Sequence, residues 1–248
     1  MIRCVVFDFD GTLVRSNEIK VRIFYEVVEP FDCPLEIVEA ALASPSPGNR
    51  YQVLGQIAER LAEKGLLSGS CSVGDAARMM SDEYSALCEK AIANCPEVAG
   101  AERTLGWLRR QGYSTFLNSA TPRAHLQRLV GLRSLDLYFV GVYGGPASKA
   151  TNLRRIFMAA GVKGEEILTV GDGDDDRAAA VATGCHFAGL AAAGVAGPSR
   201  FMQPPEYTLV ELADVERVIA SIDQGSGAPE PSQGGAVQRP DVPPANKT

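Results

Sequence analysis

Near its start the chain reads Ile2-Arg3-Cys4-Val5-Val6-Phe7-Asp8-Phe9-Asp10-Gly11-Thr12-Leu13. The apolar run from Ile2 to Phe9 predicts a strand, and an apolar run of this kind is typical of a parallel sheet covered on both faces. Two carboxylates, Asp8 and Asp10, come at the end of this strand. Ligands of an open parallel sheet bind beyond the carboxyl ends of its strands, so both carboxylates stand where a site is expected.

Residues 17–94 carry a different pattern, with apolar residues at helical spacing and no convincing strand. One such set of apolar residues is Val53, Leu54, Ile57 and Leu61. Breaks rich in turn-forming residues fall at 30–34, 44–48 and 65–74. We therefore predict an all-helical domain over residues 17–94, inserted after the first strand.

From Cys95 onward, predicted strands and helices alternate, which indicates repeated β-α-β units. The predicted strands cover residues 113–118, 135–142, 166–170 and 186–190. The predicted helices cover residues 100–111, 148–160 and 175–183, and Thr121-Pro122 is interpreted as the start of another helix. The predicted fold class is α/β, with a doubly wound parallel sheet built from residues 1–16 and 95–223. Residues 224–248 are rich in Gly and Pro and predict a disordered tail.

The composition excludes several classes of function. The 248 residues include 24 basic and 30 acidic side chains, a net charge of −6, which disfavours nucleic acid and anionic membranes as partners. No apolar stretch approaches the ~18 residues that would span a bilayer. None of the six cysteines has Cys-x-x-Cys spacing, which disfavours a zinc or dithiol site. We expect a cytoplasmic protein that is a monomer or a homodimer.

Polar side chains follow four of the predicted strands at their carboxyl ends. They are Asp8 and Asp10, then Ser119 and Thr121, then Lys149, and finally Asp172, Asp174, Asp175 and Asp176. Carboxylates that converge in a partly dry cleft repel one another and raise one another's pKa, and a divalent cation removes that conflict. Oxygen ligands suit Mg²⁺, which often shares its site with a phosphate.

The same residues fit phosphoryl transfer. A carboxylate beside a metal-bound phosphate can act as a nucleophile and form an aspartyl-phosphate. A second carboxylate two residues further on can protonate the leaving oxygen and later activate water. Lys149 would supply positive charge to the transferring oxygens, and Ser119 with nearby backbone N–H groups would supply neutral hydrogen bonds.

These motifs, taken together, resemble those of the haloacid dehalogenase superfamily of phosphohydrolases. The first motif is similar to Asp8-Phe9-Asp10-Gly11-Thr12-Leu13, the second to Phe116-Leu117-Asn118-Ser119, the third to Lys149, and the fourth to Gly171-Asp172-Gly173-Asp174-Asp175-Asp176. The resemblance covers residues 2–222 and implies a Rossmann-like core. The helical insertion is similar to the cap of the phosphoglycolate phosphatase and β-phosphoglucomutase branch.

The resemblance implies a role for each motif residue. Asp8 would be the nucleophile and a Mg²⁺ ligand, and Asp10 the general acid/base with its backbone carbonyl on the metal. Asp172 would be the third protein ligand, and Asp176 would hold a metal-bound water or orient Lys149, although Asp175 could take that place. The phosphate would be bound by Lys149, Ser119 and the neighbouring residues Gly11, Thr12 and Ala120.

The leading hypothesis is a Mg²⁺-dependent phosphatase that acts on a small phosphorylated metabolite. A phosphomutase with the same intermediate is the closest alternative, and a receiver-like or silent phosphate-binding protein is a distant one. Family dehalogenases lack a carboxylate at the position of Asp10, which disfavours C–halogen cleavage. Phosphonate-cleaving relatives use a cap lysine, and none of Lys20, Lys64 and Lys90 lies in an obvious loop facing the site.

The cap also offers a candidate for substrate contact in the loop of residues 44–51. Arg50 in this loop could bind a carboxylate or a second phosphate through two hydrogen bonds. It could equally be a solvated arginine at the start of a helix. Arg15 and Asn17, just after the first motif, are weaker candidates.

Overall fold

The structure is a computed structural model that describes residues 1–43, 49–191 and 201–225. Within these residues six parallel strands form one sheet in the order β3-β2-β1-β4-β5-β6. The strands are β1 (Cys4–Phe7), β2 (Ser114–Pro122), β3 (Gly141–Gly145), β4 (Ile167–Gly171), β5 (His186–Leu190) and β6 (Tyr207–Leu209). Because β1 pairs with both β2 and β4, its carboxyl end lies at the centre of the sheet edge.

Helices cover both faces of the sheet, as the apolar β1 run predicts. They are α5 (Ala101–Arg110), α6 (Arg123–Leu132), α7 (Lys149–Ala160), α8 (Asp174–Val181) and α9 (Asp214–Asp223). Val5 and Phe7 face an apolar cluster with α5, α6 and α9, while Cys4 and Val6 face a second cluster with α7 and α8. Burying an aliphatic or aromatic side chain contributes about 1.5–3 kcal/mol, so both layers stabilise the position of β1.

Among the described residues of the segment 17–94, four α-helices form the inserted domain, which we call the cap. They are α1 (Asn17–Glu26), α2 (Leu35–Leu42), α3 (Arg50–Glu63) and α4 (Val73–Ile92). The periodic residues Val53, Leu54, Ile57 and Leu61 are all buried, as their spacing predicts. No strand occurs in the described residues 17–43 and 49–94. The α/β class with an inserted helical domain is therefore confirmed.

The chain enters and leaves the cap through two connections that lie side by side. Val14 and Glu97 form an antiparallel bridge. The backbone N–H of Arg15 donates to Pro96 O at 2.9 Å, and that of Val98 donates to Leu13 O at 2.9 Å. These paired connections, residues 13–15 and 96–98, form the hinge ribbon.

The cap also contacts the core away from the hinge ribbon. Glu89 of α4 accepts from Arg128 Nε of α6 at 2.9 Å and lies 3.1 Å from His125 Nδ1. Arg133 Nη1, just after α6, donates to the carbonyl oxygens of Ile92 and Cys95 at 2.9 and 2.8 Å. These contacts hold the end of α4 against α6, the helix that follows β2.

Two details of the predicted core are wrong. Residues 135–142 do not form one strand: residues 136–138 form a 3₁₀ turn, and the third strand is Gly141–Gly145. Thr121 is not a helix cap, because β2 continues to Pro122, which pairs with Gly145 and precedes α6. Residues 226–248 of the predicted tail and residues 44–48 of the loop 44–51 lie outside the described residues. No helix among the described residues has the length and apolar character needed to cross a membrane.

Candidate active site

The sheet order brings the predicted strand-end residues to one place. Asp8 follows β1 directly, Asp172 and Asp176 follow β4, and Lys149 begins α7 after β3. One carboxylate oxygen from each of Asp8, Asp172 and Asp176 lies within 4.8 Å of the others. We call these three side chains the carboxylate cluster.

The carboxylate cluster has the electrostatics of a cation site. Burial raises the pKa of Asp8 to about 6, against the opposing effect of Lys149, and burial also raises the pKa of Asp176 well above its usual value. Asp8 Oδ1 and Asp176 Oδ2 are buried and have no hydrogen-bond partner among the described residues. Unpartnered carboxylate oxygens are costly to bury, and a hard divalent cation such as Mg²⁺ fits this oxygen-only donor set.

Asp172 is positioned by the turn after β1. Asn17 Nδ2 donates to Asp172 Oδ2 at 2.7 Å, which connects the first helix of the cap to the cluster. Gly11 has a φ of 78°, and a Cβ atom at this position would overlap Asp172 Oδ2 and Asn17 Nδ2. A glycine is therefore needed here both for the backbone conformation and for the approach of Asp172.

Lys149 lies among carboxylates and is only 8% exposed. Its Nζ is 2.7 Å from Asp176 Oδ1, 3.3 Å from Asp8 Oδ2 and 3.0 Å from Asp175 Oδ2. Burial alone would lower the pKa of Lys149, but these carboxylates outweigh burial and raise that pKa well above its usual value. The ammonium group is thus a fixed positive charge beside Asp8. Of the two alternative residues of the fourth motif, Asp176 is buried and Asp175 is largely exposed.

The backbone of Lys149 is held by two buried amides. Asn118 Nδ2 on β2 donates to Lys149 O at 3.0 Å, and Asn152 Nδ2 donates to Asn118 Oδ1 at 3.1 Å. The second motif therefore supplies more than the predicted Ser119. The sequence analysis predicts no role for Asn118 or Asn152, because their hydrogen bonds connect β2 with α7 and depend on how these elements pack.

Asp10 lies outside the carboxylate cluster and has its own set of donors. Ser16 Oγ donates to Asp10 Oδ1 at 2.7 Å, and Thr121 Oγ1 donates to Asp10 Oδ2 at 2.8 Å, with Ser119 Oγ at 3.5 Å. Burial alone would raise the pKa of Asp10, but the nearby ammonium group of Lys20 and the hydroxyls of Ser16 and Thr121 hold that pKa below its usual value. The two carboxylates of the first motif therefore have different environments.

Lys20 corrects one expectation of the sequence. Its ammonium group forms an ion pair with Asp10 Oδ2 and lies 3.0 Å from Thr121 Oγ1, so a cap lysine does face the site. The helical spacing could have predicted that Lys20 faces inward, because Ile23 and Phe24, three and four residues further along α1, are buried on the same side. Lys64 and Lys90 are exposed.

Arg50 is the first residue of α3, after the N-cap residue Asn49. Its Nη1 donates to Ser85 Oγ at 3.0 Å, and its guanidinium lies 5.1 Å from the centre of the Tyr84 ring. It also lines a cavity of about 720 Å³ between cap and core, together with Tyr51, Ala120 and Lys149. Arg50 is thus both a helix start and a cavity residue.

The remaining candidates fall in different surroundings. Thr12 is buried at the turn after β1, and its Oγ1 has no hydrogen-bond partner among the described residues. Ala120 is exposed to the cavity, whereas Arg15 is exposed and no described contact links it to the cluster. Asp174 is the first residue of α8 and accepts from the backbone N–H of Met202 at 3.0 Å.

Comparison with known proteins gives relatives along most of the chain. A model of the family described as haloacid dehalogenase-like hydrolase matches residues 2–184. A phosphoglycolate phosphatase of Pseudomonas putida strain KT2440 is 30% identical over 201 residues, which cover 76% of this chain and 69% of that protein. A phosphoglycolate phosphatase of Cereibacter sphaeroides is also 30% identical, over 191 residues that cover 74% of this chain and 83% of that protein.

Solved structures share the fold at low identity. The crystal structure of a predicted phosphoglycolate phosphatase from Haemophilus somnus has a TM-score of 0.70 at 18% identity, and the match covers 88% of this chain and 98% of that one. A family match over most of the chain, two relatives at 30% identity and the clustered strand-end residues lead to one conclusion. The chain belongs to the haloacid dehalogenase-like hydrolases, and its relatives place it among the phosphatases of that family.

Proposed function

We propose that the protein is a Mg²⁺-dependent phosphatase that hydrolyses a small phosphorylated metabolite through an aspartyl-phosphate on Asp8. One observation carries the proposal: the buried Asp8 carboxylate has one oxygen beside the ammonium group of Lys149 and the other without a partner among the described residues. A carboxylate held in this way can present an oxygen to the phosphorus of a bound phosphate.

The metal would be held by the carboxylates of Asp8 and Asp172, by the backbone carbonyl of Asp10, and directly or through water by Asp176. When bound, Mg²⁺ would neutralise the charge of the phosphate and of the cluster, so that Asp8 and the phosphate could approach each other. The fit rests on the oxygen-only donors of the cluster and on its two unpartnered oxygens.

In the first step, an Asp8 oxygen attacks phosphorus, and the bond between phosphorus and the leaving oxygen breaks. Before this step Asp10 takes up a proton from solvent; it then donates that proton to the leaving oxygen, and the alcohol departs. In the second step, Asp10 accepts a proton from water, and the resulting hydroxide attacks the phosphorus of the aspartyl-phosphate. Inorganic phosphate leaves, and the Asp8 carboxylate is restored.

Other residues would bind the substrate. Lys149 and Ser119, with backbone N–H groups at Thr12 and Ala120, would hold the phosphate oxygens. The N–H of Gly11 already donates to Val14 O at 2.8 Å, so Gly11 would border the phosphate without donating to it. The leaving group would lie in the cavity that Arg50 and Ala120 line. Since two relatives are named phosphoglycolate phosphatase, 2-phosphoglycolate is the first substrate to test.

The test is phosphate release from a panel of phosphorylated metabolites, with Mg²⁺ and with a chelator. We expect turnover only with Mg²⁺, and a loss of more than about a thousandfold in Asp8→Asn, because the amide is not a nucleophile. Mass spectrometry of acid-quenched protein should locate the phosphoryl group on Asp8.

Asp174→Asn is the matched control, since Asp174 lies in the fourth motif but accepts from Met202 rather than facing the cluster. It should keep most of the activity. Metal-independent turnover, or an active Asp8→Asn variant, would contradict the proposal. Conversion of a sugar phosphate to its isomer without phosphate release would indicate the phosphomutase instead.

A further inference from the structure

The contact between Lys20 and Asp10 joins the cap to the acid/base of the proposed reaction. Lys20 belongs to α1, yet its ammonium group reaches Asp10 Oδ2 at the carboxyl end of β1. The backbone of Lys20 is anchored in turn, because Tyr84 Oη of α4 donates to Lys20 O at 3.3 Å. The ion pair is half-buried, with the Lys20 side chain 21% exposed.

This contact occupies the oxygen that the reaction needs. Asp10 Oδ1 accepts from Ser16, while Asp10 Oδ2 is surrounded by Thr121, Ser119 and Lys20. A carboxyl group can give a proton to a leaving oxygen only if one of its oxygens faces that group. One donor must therefore withdraw from Asp10 before the leaving oxygen can be protonated.

Lys20 is the donor best able to withdraw. Ser119 and Thr121 are buried residues of β2, and Ser16 is buried beside the hinge ribbon, so their side chains are fixed by packing. The Lys20 ammonium sits on a flexible four-carbon stem that can swing without moving the helix. Separating a half-buried ammonium from its carboxylate is costly unless another anion replaces that carboxylate.

The space around Lys20 favours an anion from the substrate. Lys20 and Arg50 line the same small space beside Thr121, which at about 10 Å³ is too small for a substrate group. Arg50 also lines the large cavity proposed for the leaving group, and Lys20 must swing toward that cavity to meet a substrate anion. The contacts of Arg50 are a hydroxyl and an aromatic ring, which leave its charge available to a ligand. Glu89, the acidic residue of this space, is engaged by Arg128 and His125.

We propose that Lys20 is a specificity-determining residue that exchanges Asp10 for a carboxylate on the leaving group of the substrate. A phosphomonoester with such a carboxylate draws Lys20 away and frees Asp10 for proton transfer. An ester with a neutral leaving group leaves the ion pair intact and reacts slowly. The inference rests on the proposed phosphatase function and assigns its selectivity to one cap residue.

The first experiment compares two esters of similar size, 2-phosphoglycolate and ethyl phosphate, on the full chain with Mg²⁺. We expect kcat/KM to favour 2-phosphoglycolate, and Lys20→Met to reduce that preference roughly ten- to a hundredfold, as expected for one charge-assisted hydrogen bond. The variant should raise KM for 2-phosphoglycolate and raise kcat for ethyl phosphate, because Asp10 is no longer held in the ion pair. Lys20→Arg should retain the preference, and Lys90→Met, on the exposed side of α4, should match the wild type.

The second experiment measures binding without turnover, by calorimetry with 3-phosphonopropionate and propylphosphonate in the presence of Mg²⁺. The wild-type protein should bind the carboxylate-bearing phosphonate at least about tenfold more tightly. This comparison needs no variant, so it tests the preference for a carboxylate even if Lys20→Met does not fold. Equal affinities would overturn the proposal.

The outcomes separate this inference from the proposed function. If Lys20→Met loses kcat/KM equally on both esters, then Lys20 acts by positioning Asp10 or by stabilising the fold. That result would overturn the proposal that Lys20 exchanges Asp10 for a substrate carboxylate. An unchanged preference would overturn it as well. In both cases hydrolysis that depends on Asp8 would leave the phosphatase proposal standing. If no ester is hydrolysed and neither phosphonate binds, the proposed function fails and the inference fails with it.

Discussion

Gly11 is the residue at which backbone conformation and site geometry depend on each other most directly. Its positive φ and its close approach to Asp172 Oδ2 are separate constraints. Their effects can be distinguished by comparison with a glycine that has only the positive φ. Gly112 has a φ of 82° but no atom within 4 Å of a Cβ added there. Replacing either glycine by alanine should cost about 1–2 kcal/mol for the left-handed conformation.

Gly11→Ala should be the more damaging of the two, because its methyl group displaces Asp172 and Asn17. We expect a larger loss in free energy of unfolding than for Gly112→Ala, and a loss of the thermal stabilisation by Mg²⁺ that Gly112→Ala retains. Urea unfolding and melting curves with and without Mg²⁺ measure both effects. Equal behaviour of the two variants would refute the steric argument.

Asn118 supports Lys149 through its backbone. Asn118→Ala removes the donor to Lys149 O and leaves Asn152 Nδ2 without its acceptor on Asn118. Since these groups are buried, we expect a loss of about 1–3 kcal/mol in free energy of unfolding, together with a lower kcat. Denaturant unfolding and phosphate release test this. A variant with wild-type stability would show that the amide pair is not a structural support.

At this scale the sequence identifies the ends of strands but not the contacts between elements. Asp8, Lys149, Asp172 and Asp176 come together because each follows a neighbouring strand, which the alternating pattern predicts. Lys20 could not be placed in the same way, because its contact with Asp10 depends on how the cap sits on the core.

The third strand shows the limit of sequence patterns at the scale of elements. Residues 135–142 are apolar and favour a strand, but the sheet uses the glycine-rich Gly141–Gly145 instead. A Cβ atom on Gly144 would collide with the backbone of Thr121 and Arg123. Glycine is thus required where β2 bends past β3, and a close approach of this kind is invisible to propensity.

The start of α3 gives a prediction for a whole element. Asn49 accepts from the backbone N–H groups of Tyr51 and Gln52 at 3.0 and 3.2 Å, and Gln52 accepts in return from Asn49 N. Asn49→Ala should cost about 0.5–2 kcal/mol and fray the first turn, which carries Arg50. Ser72→Ala, at the cap of α4, should cost a similar amount.

The two N-cap variants, Asn49→Ala and Ser72→Ala, should differ in their effect on substrate binding. Only Asn49→Ala should raise KM, since only its helix end lines the large cavity. Steady-state kinetics and chemical denaturation on both variants provide the measurement. Equal KM values for the two variants would show that the start of α3 does not contribute to substrate binding.

For the whole molecule, the raised pKa of Asp8 and Asp176 couples stability to pH and metal. A carboxyl group whose pKa is higher in the folded chain favours folding while it is protonated, and this contribution is lost as the pH rises through the folded value, about 6 for Asp8. Near neutral pH the ionised Asp8 carboxylate therefore destabilises the chain until a cation binds.

Mg²⁺ should then raise the melting temperature more at about pH 7.5 than at about pH 5, where protonated Asp8 is a poor ligand. At a hundredfold excess over Kd the stabilisation is about 2.7 kcal/mol. Calorimetry at both pH values, with Asp172→Asn as the variant that abolishes the effect, measures this linkage. A pH-independent effect of Mg²⁺ would argue against binding at the cluster.

The hinge ribbon has a consequence for how such proteins diversify. Because residues 13–15 and 96–98 pair with each other, everything between them departs from and returns to a single point of the core. The entropy of closing a loop there grows only slowly with its length, so the intervening segment can be lengthened, shortened or exchanged at little expense to the sheet. Grafting a foreign lid at these two positions is therefore a direct engineering route to new substrates, provided that the graft keeps Ser16 and Asn17, which donate to Asp10 and Asp172.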